Sequence, residues 1–134
     1  MDHKTHHSSR LFEAEPASAA FVRRYVRESL DTMHLFSEEA VFLANELATN
    51  AIVHAGGEFV VEVSIKDETC RIGVIDHAQG RPRMGEADRQ ATSGRGLALV
   101  EALSTSWGVE DLADGKAIWC DVRVRPFGSE PYPS

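Results

Sequence analysis

Glu46, Asn50 and His54 recur every fourth position in the helix-favouring stretch "NELATNAIVHA" (45–55). Residues four apart share one helical face, so a carboxylate, an amide and an imidazole line up beside an apolar stripe. Such a row is competent for proton transfer or metal binding. It equally describes a ladder of surface pairs at i,i+4, and the row alone does not choose between the two. Asp76 closes the apolar run "CRIGVID", where a carboxylate can accept a hydrogen bond from a ligand's amino group or cap a turn. In "SGRGLALV" (93–100), Gly94 and Gly96 allow backbone amides to approach a ligand closely. A helix starting near Leu97 would present free N–H groups and the positive end of its dipole, the makings of an anion site, although an ordinary glycine-rich loop has the same composition.

These residues need elements to hold them. Ser37 followed by Glu38 and Glu39 is a helix-start signal, and the helix beyond it buries Ala40, Leu43, Ala44, Leu47 and Ala51 before stopping at Gly56-Gly57. Before it, a short strand around Leu11 and Phe12 ends near Pro16. Ser18 is the expected cap of a helix carrying Phe21, Val22, Tyr25, Val26 and Leu30. "EFVVEVSIK" alternates with period two and pairs with "CRIGVID" as an antiparallel hairpin turning at Lys66 to Thr69. Some twenty residues, "HAQGRPRMGEADRQATSGRG", then lack any apolar period, and a loop of that length is usually a lid or binding loop. The helix "LALVEAL" follows, and "SWGVEDL" and "AIWCDVRVR" read as strands joined by "ADGK", where Asp114-Gly115 signals a hairpin turn. The order β α α β β, loop, α β β implies an α+β two-layer sandwich: a mixed, mostly antiparallel sheet with helices on one face.

The chain has 134 residues, 43% of them apolar and 26% charged, which suits one domain with a genuine core. That domain is expected over residues 10–125, between flexible tails at 1–9 and 126–134. No stretch reaches the roughly 20 apolar residues of a membrane helix, and the N-terminus lacks the apolar centre of a signal peptide, so a cytoplasmic protein is expected. A net charge of −7 argues against broad attraction to nucleic acid or anionic lipid. Any anion must be held by a local site. Cys70 and Cys120, with no C-x-x-C spacing, read as reduced core thiols. His3, His6 and His7 sit in a stretch without apolar pattern and read as tail rather than metal site. A P-loop and a Rossmann glycine motif are both absent from the sequence.

Taken in order, "ELATNAIVHA" (46–55), "DHAQG" (76–80), "SGRGLALV" (93–100) and "GKAIW" (115–119) resemble the successive boxes of the histidine-kinase, gyrase and chaperone ATPase superfamily, the Bergerat fold. Within it the chain most resembles the anti-sigma-factor serine/threonine kinases. The resemblance implies ATP and Mg²⁺ as cofactors, with Asn50 on the metal and Glu46 as general base toward a hydroxyl nucleophile. It assigns Asp76 to the adenine amino group and Gly80 to close passage beside the base. Gly94, Arg95, Gly96 and Leu97 fall at the phosphates, and His54 completes the row, either supporting the residues that touch the ligand or packing. It further implies a homodimer that phosphorylates an anti-anti-sigma protein and sequesters a sigma factor. Two positions depart from the family pattern. Ala78 stands where the D-x-G-x-G box has its first glycine, and Lys116 and Ala117 follow Gly115 where relatives commonly carry a hydroxyl that supports the adenine-binding carboxylate. These departures motivate the alternative of a catalytically weak or inactive module that acts by protein binding alone.

Overall fold

A computed structural model describes residues 5–54, 57–76 and 95–128. In chain order the elements are β1 (Thr5–Glu13), α1 (Ser18–Asp31), β2 (Leu35–Phe36), α2 (Glu38–His54), β3 (Glu58–Lys66), β4 (Thr69–Asp76), α3 (Arg95–Leu103), β5 (Ser106–Leu112), β6 (Gly115–Arg123) and β7 (Arg125–Pro126). Five strands form one sheet in the order β1-β3-β4-β6-β5, and β2 pairs with β7 in a small second sheet. Every pairing is antiparallel. The expected α+β two-layer architecture is therefore present.

Period-two alternation explains how the sheet acquires its two faces. Phe59, Val61, Val63 and Ile65 of β3 are buried, as are Cys70, Ile72 and Val74 of β4 and Ile118, Cys120 and Val122 of β6. The register sets these residues opposite one another, Val63 against Ile72 and Ile72 against Cys120, so they share the face under the helices. The helices cover it with residues spaced by three and four: Val22, Tyr25, Val26 and Leu30 of α1, and Ala40, Leu43, Ala44, Leu47, Ala48 and Ala51 of α2. α3 adds Val100. The expected stripe of α2 is thus its buried face.

The start of α2 follows the expected signal. The Ala40 N–H donates to the Ser37 hydroxyl at 3.0 Å, which satisfies one of the amides that a helix start leaves open. α1 differs: Ala17 is its N-cap without a side-chain hydrogen bond, and Ser18, expected as the cap, is its buried first residue. α1 ends at a reversal where His34 takes a left-handed φ of 58°, which lets the chain drop into β2 and then reach Ser37.

The N-terminal strand is longer than expected. Residues 5–9, read as part of a flexible tail, are paired with β3 from Thr5 opposite Lys66 to Ser9 opposite Glu62. Polar side chains do not prevent this, because they find partners on β3, where His7 Nδ1 lies 2.7 Å from the Ser64 hydroxyl, and on α1. The Ser8 and Tyr25 hydroxyls are 2.5 Å apart, the Arg10 guanidinium lies 4.6 Å from the Tyr25 ring centroid, and Phe12 packs on Tyr25 and Phe59. At the other end, the expected tail beyond 125 begins with Pro126 in β7 and with Phe127, whose ring meets Phe36 edge-on at 6.0 Å.

Candidate functional site

The closeness in sequence of the end of α2 to the start of β3 decides what lies near the polar row. α2 ends at His54, β3 starts at Glu58, and Phe59 is paired directly with Asp76, the last residue of β4. The C-terminal half of α2 and the end of β4 therefore share one end of the domain. β6 starts at that end, with Lys116 opposite Asp76, and the hairpin from β5 turns there. α3 packs against α2 and begins at Arg95.

Glu46, Asn50 and His54 are each half-buried, on the border between the apolar stripe and solvent that their spacing implies. The Asn50 amide nitrogen is buried and has no hydrogen-bond partner among the described residues. An unmet buried donor costs about 1–3 kcal/mol, a cost a fold retains where a ligand or a covering segment completes it. Asp76 is 3% exposed. A carboxylate this deep has lost most of its water and depends on protein or ligand groups for its hydrogen bonds. It lies on the helix-facing side of the sheet, as Phe59 does, so it points into the space between the layers.

Arg95, Gly96 and Leu97 form the first turn of α3. The helix starts two residues before the expected Leu97, so Arg95 and Gly96 belong to the helix and not to the preceding loop. The free N–H groups of a helix start are then carried by these residues. Gly80, Gly94 and the Ala78 departure lie outside the described residues. A hollow of about 170 Å³ between α1, β2 and α2, lined among others by Leu30, Leu35, Val41 and Phe127, contains none of the candidate residues.

Lys116 and Asp111 are the residues that sequence reasoning missed. In the sequence Lys116 signals only the absence of a hydroxyl, yet it is 8% exposed and sits on the helix-facing side of β6 with Ile118, Cys120 and Val122. Its parity with those apolar residues was the available signal. Asp111 of β5 is opposite Lys116 from the other side, so Asp76, Lys116 and Asp111 form one row across three strands. None of the three lacks an interaction partner.

A family model of the histidine kinase-like ATPase domain matches residues 12–120, from the end of β1 through most of β6. The chain belongs to this family. A histidine kinase-like ATPase domain implies nucleotide binding. The uncharacterized protein SCO4941 of Streptomyces coelicolor is 40% identical over 63 residues, 46% of this chain and 56% of that protein. The solved structure of the RsbU and RsbW domains of Rv1364c from Mycobacterium tuberculosis superposes with a TM-score of 0.65 at 23% identity, covering 90% of this chain and 34% of that one. The likeness to the mycobacterial structure is one of fold, and the chain spans about half of the first relative and a third of the second.

Among the described residues, no helix is long and apolar enough to cross a membrane. Cys70 and Cys120 are free thiols buried in the core, as their settings suggested. Burial pushes both thiols up to about 12, with the neighbouring Cys120 and Asp121 adding to the rise at Cys70 and Asp121 to that at Cys120.

Proposed function

We propose that this chain is a Mg-ATP-dependent protein serine/threonine kinase of the anti-sigma type. In this reading it phosphorylates a hydroxyl of an anti-anti-sigma protein and sequesters a sigma factor, as a cytoplasmic homodimer. The observation that carries the reading is that the C-terminal half of α2, with the Glu46–Asn50 row and an Asn50 amide nitrogen that is unmet among the described residues, lies at the same end of the domain as the buried Asp76. α3, which begins at Arg95, packs against α2. The RsbW-containing fold match supports the anti-sigma assignment.

Each residue has a role its chemistry suits. The Asn50 side-chain oxygen is a hard donor and would hold Mg²⁺, which when bound neutralises phosphate charge. The amides at the start of α3, from Arg95, Gly96 and Leu97, take phosphate oxygens, with Gly94 beside them. Asp76 accepts the adenine amino group, and Gly80 lets the backbone pass the base. Glu46, one turn before Asn50, accepts the proton of the incoming hydroxyl as its oxygen bonds to the γ-phosphorus and the bond to the departing ADP oxygen breaks.

Incubation with labelled ATP and a candidate anti-anti-sigma protein tests this. Transfer is expected from the wild type and is expected to fall by roughly 100-fold or more in Glu46→Ala, on the scale of a lost general base. Equal transfer by both proteins removes Glu46 from that role. A second reading, a module that acts by protein binding with weak or no turnover, is favoured by Lys116 standing beside Asp76. Sigma-factor capture without phosphoryl transfer would select it.

A further inference from the structure

Phe42, Glu46, Thr49 and Val53 lie on one line along α2. At 3.6 residues per turn the four fall within an arc of about 60°, and none of the buried residues of that helix falls inside it. Phe42 is 40% exposed and Val53 69%, while Thr49 is exposed and Glu46 half-buried. A single exposed apolar side chain needs no explanation. These two bracket Glu46 on its own line, about 6 Å and about 10 Å away along the helix axis.

On one flank of the line stands Asn50. On the other, Arg23 Nη1 donates to Asn45 Oδ1 at 2.6 Å, which fixes a guanidinium one residue from Glu46. α1 and α2 run antiparallel, since Arg23 meets Asn45 whereas Arg27 and Asp31 share a hollow with Glu38 and Val41. The half of α1 beside Glu46 to Val53 therefore carries Arg23 and Arg24 and no carboxylate, because Glu28 and Asp31 belong to the other half. In a chain of net charge −7 this is a local basic rim.

A general base must come within about 2.6–3.2 Å of the hydroxyl it serves. Glu46 sits in the middle of a 17-residue helix, so a hydroxyl that reaches it brings its carrier down on the turns at either side. A small alcohol would touch Glu46 alone. A folded protein would also cover Phe42 and Val53, and its charges would meet Arg23 and Arg24.

We propose that the line of Phe42, Thr49 and Val53, with Arg23 and Arg24 beside it, is the docking surface for the phosphoryl acceptor. That acceptor is a folded protein whose serine or threonine hydroxyl is flanked by apolar side chains and an acidic rim. The inference rests on the kinase reading above, with Glu46 as base.

The test is steady-state phosphorylation, by the full chain with labelled Mg-ATP, of a panel of purified anti-anti-sigma proteins. Phe42→Asp and Val53→Asp are each expected to raise KM for the acceptor by roughly tenfold or more with kcat held within roughly threefold, the pattern of lost docking and not of lost chemistry. Phe42→Leu keeps an apolar side chain and should stay near the wild type. Arg24→Glu should raise KM too, and the wild-type KM should climb with salt. Leu11→Asp is the control: Leu11 is 56% exposed, lies on the sheet face away from the helices, and should tolerate the change without effect on KM. Calorimetric affinity for Mg-ATP should agree among all variants within roughly twofold. Circular dichroism checks folding, and if Phe42→Asp does not fold, Val53→Asp and the salt dependence decide. A KM within roughly twofold of wild type in either folded aspartate variant of α2, or a rise matched by Leu11→Asp, overturns the inference and leaves the kinase reading intact. A wild type that phosphorylates no member of the panel overturns both.

Discussion

Replacing Gly108 by alanine should destabilise the fold through a single collision. A Cβ built at Gly108 would lie 2.8 Å from Cζ2 of Trp119 and 2.9 Å from both Cε2 and Nε1. Carbon atoms in proteins do not approach so closely, so the indole or strand β5 must move. The indole is not free to yield. The Arg71 guanidinium covers it at 4.0 Å from the ring centroid, and Asp121 fixes that guanidinium through two hydrogen bonds of 2.7 and 2.9 Å. Overpacking of this kind costs about 1–3 kcal/mol. Against it stands the backbone entropy of glycine, whose replacement inside a strand recovers about 0.5–1 kcal/mol. The difference is a net loss of up to about 2.5 kcal/mol, centred on about 1, which for a chain of this size lowers the melting temperature by up to roughly 10 °C. Thermal denaturation of Gly108→Ala measures this loss. Repeating the change in a Trp119→Leu background removes the ring, so there Gly108→Ala should be neutral or stabilising. The same destabilisation in both backgrounds, or none in the wild type, would refute the argument.

Other regions yield further expectations. Ser37→Ala removes the acceptor of the Ala40 N–H and should lower stability by about 0.5–2 kcal/mol in urea denaturation, while Ser37→Asn should recover part of it. Tyr25→Phe breaks the hydroxyl contact with Ser8 and keeps the ring under Arg10 and Phe12. A loss of about 1 kcal/mol is expected, with faster amide exchange in β1 than in β3. Cys70 and Cys120 should resist a thiol reagent at pH 8 in the native protein and react once it is denatured. Because both thiols are pushed up from 9.0 to about 12, the folded chain keeps protons that the unfolded chain has released across that window. Stability should therefore fall as pH rises from 9 toward 12, by at most about 1.4 kcal/mol per unit for each thiol, and a serine double variant should lack that component.

Local chemistry made part of the fold legible in advance. The Ser37 cap, the buried stripe of α2 and the β3–β4 hairpin were expected because each depends on residues close in sequence. The β5–β6 hairpin was also expected, although its two turn residues are Ala113 and Asp114, with Gly115 already paired to Leu112. The lower part of β1 was missed for the opposite reason. Thr5 to Arg10 carry no apolar period, and what orders them is Tyr25 on α1 together with the edge of β3.

The candidate site divides along the same line. Sequence alone determined that Glu46, Asn50 and His54 share a helical face, because 3.6 residues per turn leave no other arrangement. It also determined that Asp76 ends a strand and that glycines flank the start of a helix. Tertiary structure decided which of these meet. Strand order places β6 beside β4, with β5 outside it, and register then sets Lys116 between Asp76 and Asp111. These residues are separated in sequence by up to forty positions, and no periodicity links them. A one-residue slip in the β4–β6 pairing would turn Lys116 to the solvent face and leave Asp76 without the neighbouring ammonium, and one in the β5–β6 pairing would turn Asp111 away from it. The charge row is thus a property of strand pairing, which is non-local, whereas the polar row on α2 is a property of helix geometry, which is local.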